Sequence, residues 1–130
     1  MKLKLAALAV AATFSLSAQA LTEIQWWHSM TAVNGEWVND LAKEFNASQK
    51  DYKIVPTYKG SYDESMTAAV AAFRAGNAPH ILQVFEVGTA TMMASKNAIV
   101  PVGKVMADAG QAFDPKAYIP AVAGYYTAPS

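Results

Sequence analysis

The chain has 130 residues, with 10 Lys+Arg balanced by 10 Asp+Glu and no cysteine. Zero net charge and a pI near 6.7 argue against a nucleic-acid binder, which needs a basic face. Missing cysteine removes thiolate catalysis, disulfide frameworks and thiol-linked lipid anchors, and 53% hydrophobic against 15% charged residues excludes a disordered chain. The first twenty residues read as a secretory signal peptide. Lys2 and Lys4 form a positive start, Leu5 to Leu16 an uncharged apolar stretch, and Ser17-Ala18-Gln19-Ala20 a small-residue cleavage site after Ala20. Twelve residues of helix reach only about 18 Å, short of the ~30 Å hydrocarbon core, which disfavours a membrane anchor. Without Lys2 and Lys4 the remaining 110 residues carry 8 basic and 10 acidic groups, a net charge of −2. No later stretch approaches a membrane span, so the mature chain is expected to be exported, not membrane-embedded, and periplasmic.

From Leu21 to Trp27 residues alternate as in a strand, and Val33 to Ala47 reads as a helix with Trp37, Leu41 and Phe45 repeating every four positions. Tyr52 to Tyr58 is a second strand, which Pro56, lacking an amide donor, puts at a sheet edge or ends early. Ser61 and Glu64 have capping-box spacing, so a helix starts there, carries Met66, Ala69, Val70 and Phe73 as an apolar stripe, and stops at Gly76. Ile81 to Phe85 reads as a buried strand and Thr89 to Ser95 as a helix. Ile99 to Val102 is expected to be extended, Val105 to Ala109 a short helix, and Pro115 to Tyr126 a helix with an extended end.

Strand–helix–strand–helix–strand order predicts an α/β fold with parallel strands and right-handed crossovers. Ligands in such sheets bind beyond the carboxyl ends of the strands. Those ends carry Trp26-Trp27-His28-Ser29, Gly60-Ser61-Tyr62 and Glu86-Val87-Gly88, expected to face one crevice. Aromatic faces and a carboxylate suit polyols: the rings cover C–H faces and the carboxylate accepts from hydroxyls. Glu86 has two open readings, a carboxylate at a helix N-terminus or an acceptor for ligand donors. Trp27 and His28 are candidate crevice-lining residues; His28 serves equally well as a backbone cap, and one of Trp26 and Trp27 belongs to the core. His80 falls at the opposite sheet end. Two histidines without cysteine support no metal site, and no phosphate-cradling glycine loop is present. Catalysis is disfavoured: there is no nucleophile elbow, and one carboxylate stands where a glycosidase needs two.

The chain resembles the extracellular solute-binding proteins that serve ABC importers, and among them the receptors for glycerol 3-phosphate. The resemblance covers Leu21 to Tyr126. It rests on Trp27-His28-Ser29-Met30, Tyr52 through Gly60, Ala71 through Pro79, and above all Ile81 through Ser95 with its Glu86-Val87-Gly88-Thr89-Ala90-Thr91-Met92-Met93 run. It implies a periplasmic-binding-protein-like fold in which residues 21–130 form part of the N-terminal lobe of a two-lobed clamp, the second lobe lying further along. It further implies Tyr62 and Glu86 as ligand-binding residues, Glu86 holding the glycerol hydroxyls rather than the phosphate. The expected ligand is sn-glycerol 3-phosphate, with glycerophosphodiesters as a second class, delivered to membrane permease subunits without cofactor or catalysis. A sugar or oligosaccharide receptor of the same family is the alternative, and a small exported hydrolase the third. The chain departs from the family pattern at Phe85, where tyrosine is usual, and at His80, where a small residue is common.

Overall fold

A computed structural model describes residues 21–127; the signal peptide expected at residues 1–20 and its cleavage after Ala20 lie outside them. Strand β1 (Thr22–His28) leads through helix α1 (Ala32–Ser48) to strand β2 (Tyr52–Tyr58). Helix α2 (Tyr62–Arg74) then leads to strand β3 (Ile81–Leu82) and helix α3 (Glu86–Ala94). The strands form a parallel sheet in the order β2-β1-β3, so the molecule is α/β as its element order implies. The connection from β1 to β2 moves one way along the sheet and that from β2 to β3 moves back past β1. With right-handed crossovers, this order puts α1 and α2 on opposite faces.

β2 pairs with β1 along its whole length, from Thr22 opposite Tyr52 to His28 opposite Tyr58. Its other side is the sheet edge among the described residues, where Pro56 costs no ladder bond. That edge is closed by a side chain. The Asn46 carboxamide of α1 accepts from Ile54 N at 2.7 Å and donates to Ile54 O at 2.9 Å, mimicking a neighbouring strand. The turn between α1 and β2 is built on Gln49, whose Oε1 accepts from the Asp51 and Tyr52 amides at 2.8 Å each.

Three expectations are corrected. The strand expected over Ile81–Phe85 ends at Leu82, and the helix expected from Thr89 begins at Glu86. β1 ends at His28, so beyond Gln83, whose amide donates to Trp27 O at 2.9 Å, the chain has no strand to pair with and turns into a helix. The helix expected over Pro115–Tyr126 splits into a 3-10 turn (Pro115–Ala117) and helix α5 (Pro120–Tyr125). Ile119 precedes a proline and is held extended, φ −60° and ψ 121°, as proline demands of its predecessor. The third correction concerns burial. On α1 the buried row is Val38 and Ala42, one position beyond Trp37, Leu41 and Phe45, which stay 62%, 37% and 41% exposed. On α2 the buried row is Ser65 and Ala69, while Val70 and Phe73 stay exposed. Small residues let a helix lie close to the sheet, and the bulkier rows fall to either side.

The capping box forms as its spacing predicts: Ser61 Oγ accepts from Glu64 N at 3.3 Å and Glu64 Oε2 accepts from Ser61 N at 2.7 Å. Gly76, just past the C-cap of α2, takes φ +75°, a left-handed conformation that ends helices and suits glycine. Beyond α3 the chain turns through Lys96–Ala98 and runs on to Pro101, then forms helix α4 (Val102–Asp108), with Lys104 and Asp108 paired at 2.7 Å on its exposed face. An apolar groove of about 770 Å³ runs between α3, α4 and α5, lined by Met93, Ile99, Phe113, Tyr118, Val122 and Tyr126 among others. No helix among the described residues is long and apolar enough to cross a membrane.

Candidate functional site

Because the strands are parallel, their carboxyl ends and the starts of α1, α2 and α3 lie along one edge of the sheet. The residues expected to carry function are all found there, in two groups.

The first group surrounds the end of β1. His28 is only 4% exposed. Its ring lies 6.2 Å from Trp26 and 6.1 Å from Tyr58, all three on one face of the sheet. Nδ1 accepts from the Met30 amide at 3.3 Å, the backbone-capping arrangement. Burial pushes the His28 pKa below its ordinary value, and a neutral ring is the form that can accept this bond. Trp27, on the other face, is covered by the Lys59 ammonium 4.0 Å from its ring centroid. The loop after β1 is tied to β3 by Gln83, whose Oε1 accepts from Ser29 N at 3.0 Å. His80 precedes β3, beside Gln25 in the middle of β1 rather than at the carboxyl ends of the strands, and accepts from Gln25 N through Nδ1 at 3.0 Å, so the two histidines have separate structural duties.

The second group is the junction of α2 and α3. The capping box fixes the start of α2, so that Tyr62, its first residue, projects at the sheet edge. The Tyr62 ring stacks on Phe85 at 5.3 Å between centroids and 22° between planes. Phe85 is the N-cap residue of α3 and Glu86 its first helical residue. Tyr62 and Glu86, 24 positions apart in the chain, are thus brought to one point by Phe85. Glu86 is exposed, and among the described residues its carboxylate makes no hydrogen bond or ion pair. It is the first residue of α3, at the positive end of the helix dipole, and its side chain is open to solvent, so both readings of its position stand. Gly88 permits this junction to close: a Cβ there would lie 3.0 Å from Phe85 Cε1 and Val84 Cγ1 and 3.1 Å from Met66 Sδ.

Chemically, the junction offers a carboxylate next in sequence to one member of a stacked aromatic pair, groups that suit a small polyol rather than an apolar ligand. No cluster of three metal-ligating side chains occurs among the described residues. Sequence reasoning passed over three residues here. Phe85 is noticed only as a departure from a pattern, and its adjacency to Glu86 after a strand is the signal that could have found it. Gln83 and Tyr125, whose hydroxyl donates to Glu86 O at 2.9 Å, act through contacts more than 35 positions apart, which no local pattern announces.

Comparison with known proteins places this geometry. The chain is 58% identical over 120 residues to the sn-glycerol-3-phosphate-binding periplasmic protein of Yersinia pestis bv. Antiqua (strain Antiqua), covering 92% of this chain and 27% of that relative. It is 59% identical over 119 residues to the protein of the same name from Yersinia enterocolitica serotype O:8 / biotype 1B, again 92% and 27%. The Brucella abortus (strain 2308) protein of that name is 50% identical over 121 residues, 93% of this chain and 28% of the relative. The chain therefore spans little more than a quarter of the length of these curated relatives. The family of bacterial extracellular solute-binding proteins matches residues 29–129, from the end of β1 to beyond α5. A match across nearly the whole described chain, on a parallel α/β sheet of the expected kind, leads to one conclusion: the chain belongs to the bacterial extracellular solute-binding protein family.

Proposed function

We propose that this chain forms part of the N-terminal lobe of a periplasmic receptor that captures sn-glycerol 3-phosphate and delivers it to the permease subunits of an ABC importer. The observation that carries the reading is the 58% identity, over 92% of the chain, to a relative named for binding that ligand. The site supports it in kind. Glu86, exposed and without a partner among the described residues, accepts hydrogen bonds from the glycerol hydroxyls, and Tyr62, braced by Phe85, lies against the carbon backbone of the ligand. Carboxylate and phosphate repel, so the phosphate end of the ligand points away from Glu86 toward cationic groups on the second lobe. Trp27 and His28 line the crevice from behind rather than touching ligand, His28 being buried and committed to Met30 N. Glycerophosphodiesters, which keep the same hydroxyls, form the second ligand class. The role is capture without chemical turnover, after export by the signal peptide at residues 1–20 and its removal after Ala20.

Calorimetric titration of the receptor, expressed from its complete reading frame, tests the proposal. Saturable binding of glycerol 3-phosphate, with a sugar such as maltose failing to compete, is the expected result. Binding of the sugar in its place would transfer the receptor to the carbohydrate branch of the family. Release of glycerol 3-phosphate from a diester during incubation would make the protein a hydrolase. The intact mass of the exported protein reports the cleavage site.

A further inference from the structure

The first turn of α3 carries Glu86 but lacks the usual means of holding a helix start. Phe85 at the N-cap makes no side-chain cap hydrogen bond, in contrast to the reciprocal box that secures α2. An uncapped first turn frays, and a carboxylate riding on it samples many directions. Gly88 and Thr89, in the same turn, are buried against the junction, so what is left to hold is its exposed side at Glu86, and two contacts reach it. One is the Phe85 ring against Tyr62. The other comes from α5: the Tyr125 hydroxyl, 39 positions further on, donates to the Glu86 carbonyl at 2.9 Å.

Tyr125 is not a core residue. It is 56% exposed, so its place is set by the hydroxyl contact and by the edge-on packing of Tyr126, 5.0 Å away at 75°, rather than by burial. Tyr126 lines the apolar groove between α3, α4 and α5. The adjacent tyrosines, both more than half exposed, therefore face different neighbours, one toward the groove and one toward Glu86. From this geometry we infer that Tyr125 is a positioning residue of the ligand site: its hydroxyl holds the uncapped first turn of α3, presetting the Glu86 carboxylate for a hydroxyl-bearing ligand. The role at the ligand rests on the proposed reading of Glu86; the contact that holds the turn does not. Presetting acts by sparing the ligand the cost of ordering the turn when it binds.

The test is Tyr125→Phe in the receptor expressed from its complete reading frame, which deletes the hydroxyl and keeps the ring. Titration with glycerol 3-phosphate should show affinity about three- to ten-fold weaker, the worth of one hydrogen bond, with an unchanged thermal midpoint. In a Glu86→Gln background the same change should cost less than about two-fold, because the carboxylate it positions is gone. Without ligand, amide exchange over residues 88–91 should quicken in Tyr125→Phe. Unchanged affinity in a wild type that binds, or an equal loss in both backgrounds, overturns the positioning role. If the wild type does not bind glycerol 3-phosphate at all, the ligand reading fails and the role at that ligand with it. Amide exchange then judges the contact separately: unchanged exchange overturns the holding of the turn as well.

Discussion

A single methyl group added at Gly88 probes how tightly the candidate site is assembled. In a helix, Gly→Ala normally gains about 1 kcal/mol, because glycine loses more backbone freedom on folding. At Gly88 that gain meets three heavy atoms at once, at 3.0, 3.0 and 3.1 Å, where ordinary contact is about 3.5–4.0 Å. Met66 is flexible and its sulfur can swing away. Val84 is β-branched and stiff, and the Phe85 ring is confined by its stack on Tyr62. Overpacking of this kind costs about 1–3 kcal/mol, so Gly88→Ala should destabilise the fold by roughly 1 kcal/mol net. Displacing Phe85 should also weaken ligand binding, since Tyr62 and Glu86 are both referred to that ring. Gly103, likewise in the first turn of a helix, is the control: a Cβ there meets only Phe113 Cδ1, at 3.6 Å. Gly103→Ala should stabilise by about 0.4–1 kcal/mol. Urea unfolding of the two variants against wild type reads both numbers. Equal stabilisation by both would refute the argument that the α2–α3 junction is close-packed through Gly88.

Other perturbations act at separate points. Glu86→Gln keeps the shape and removes the charge, and should weaken glycerol 3-phosphate binding by about 1–3 kcal/mol in calorimetry; equal affinity would remove Glu86 from the ligand. Asn46→Ala strips both hydrogen bonds from the open edge of β2 and should lower unfolding free energy by about 1–2 kcal/mol, whereas an unchanged denaturation midpoint would show that water replaces the carboxamide at no cost. His28 titrates below its ordinary value because it is buried, so the folded state binds its proton less readily than the unfolded state. Its contribution is therefore complete above the unfolded pKa of 6.5, and is lost as pH falls through 6.5 toward the lowered value. Urea midpoints measured from about pH 7.5 down to about 5.5 should fall in the wild type and fall less in His28→Gln; parallel curves would show that another group governs the slope.

Local pattern carried much of the architecture. Alternation placed β1 and β2 to within a residue, the serine–glutamate spacing placed the start of α2, and Pro56 left two openings, an edge strand or one that ends early, of which the structure takes the first. The same logic failed where an element depends on a distant partner. β3 stops at Leu82 because β1 stops at His28, and an apolar run cannot report where its neighbour ends. The repeat of Trp37, Leu41 and Phe45 correctly signals a helix but not the row that turns inward, since the closeness of α1 to the sheet is set by Val38 and Ala42.

The candidate site divides in the same way. The alternation of strands and helices implies parallel strands, and with them the sheet edge where ligands bind in such folds; so Trp27, His28, Tyr62 and Glu86 could be named from the sequence, and a run as specific as Glu86 to Met93 tied the chain to a family, whereas the order β2-β1-β3 came only from the pairing of the strands. Which neighbours each one meets was decided only by tertiary contacts. Folding buries His28 and commits it to Met30 N, covers Trp27 with Lys59, braces Tyr62 on Phe85, and leaves the Glu86 carboxylate without a partner among the described residues while its backbone is held from α5. Hydrogen bonds and ring contacts depend on distances between segments dozens of residues apart, and residue order carries the types of those groups without the distances between them.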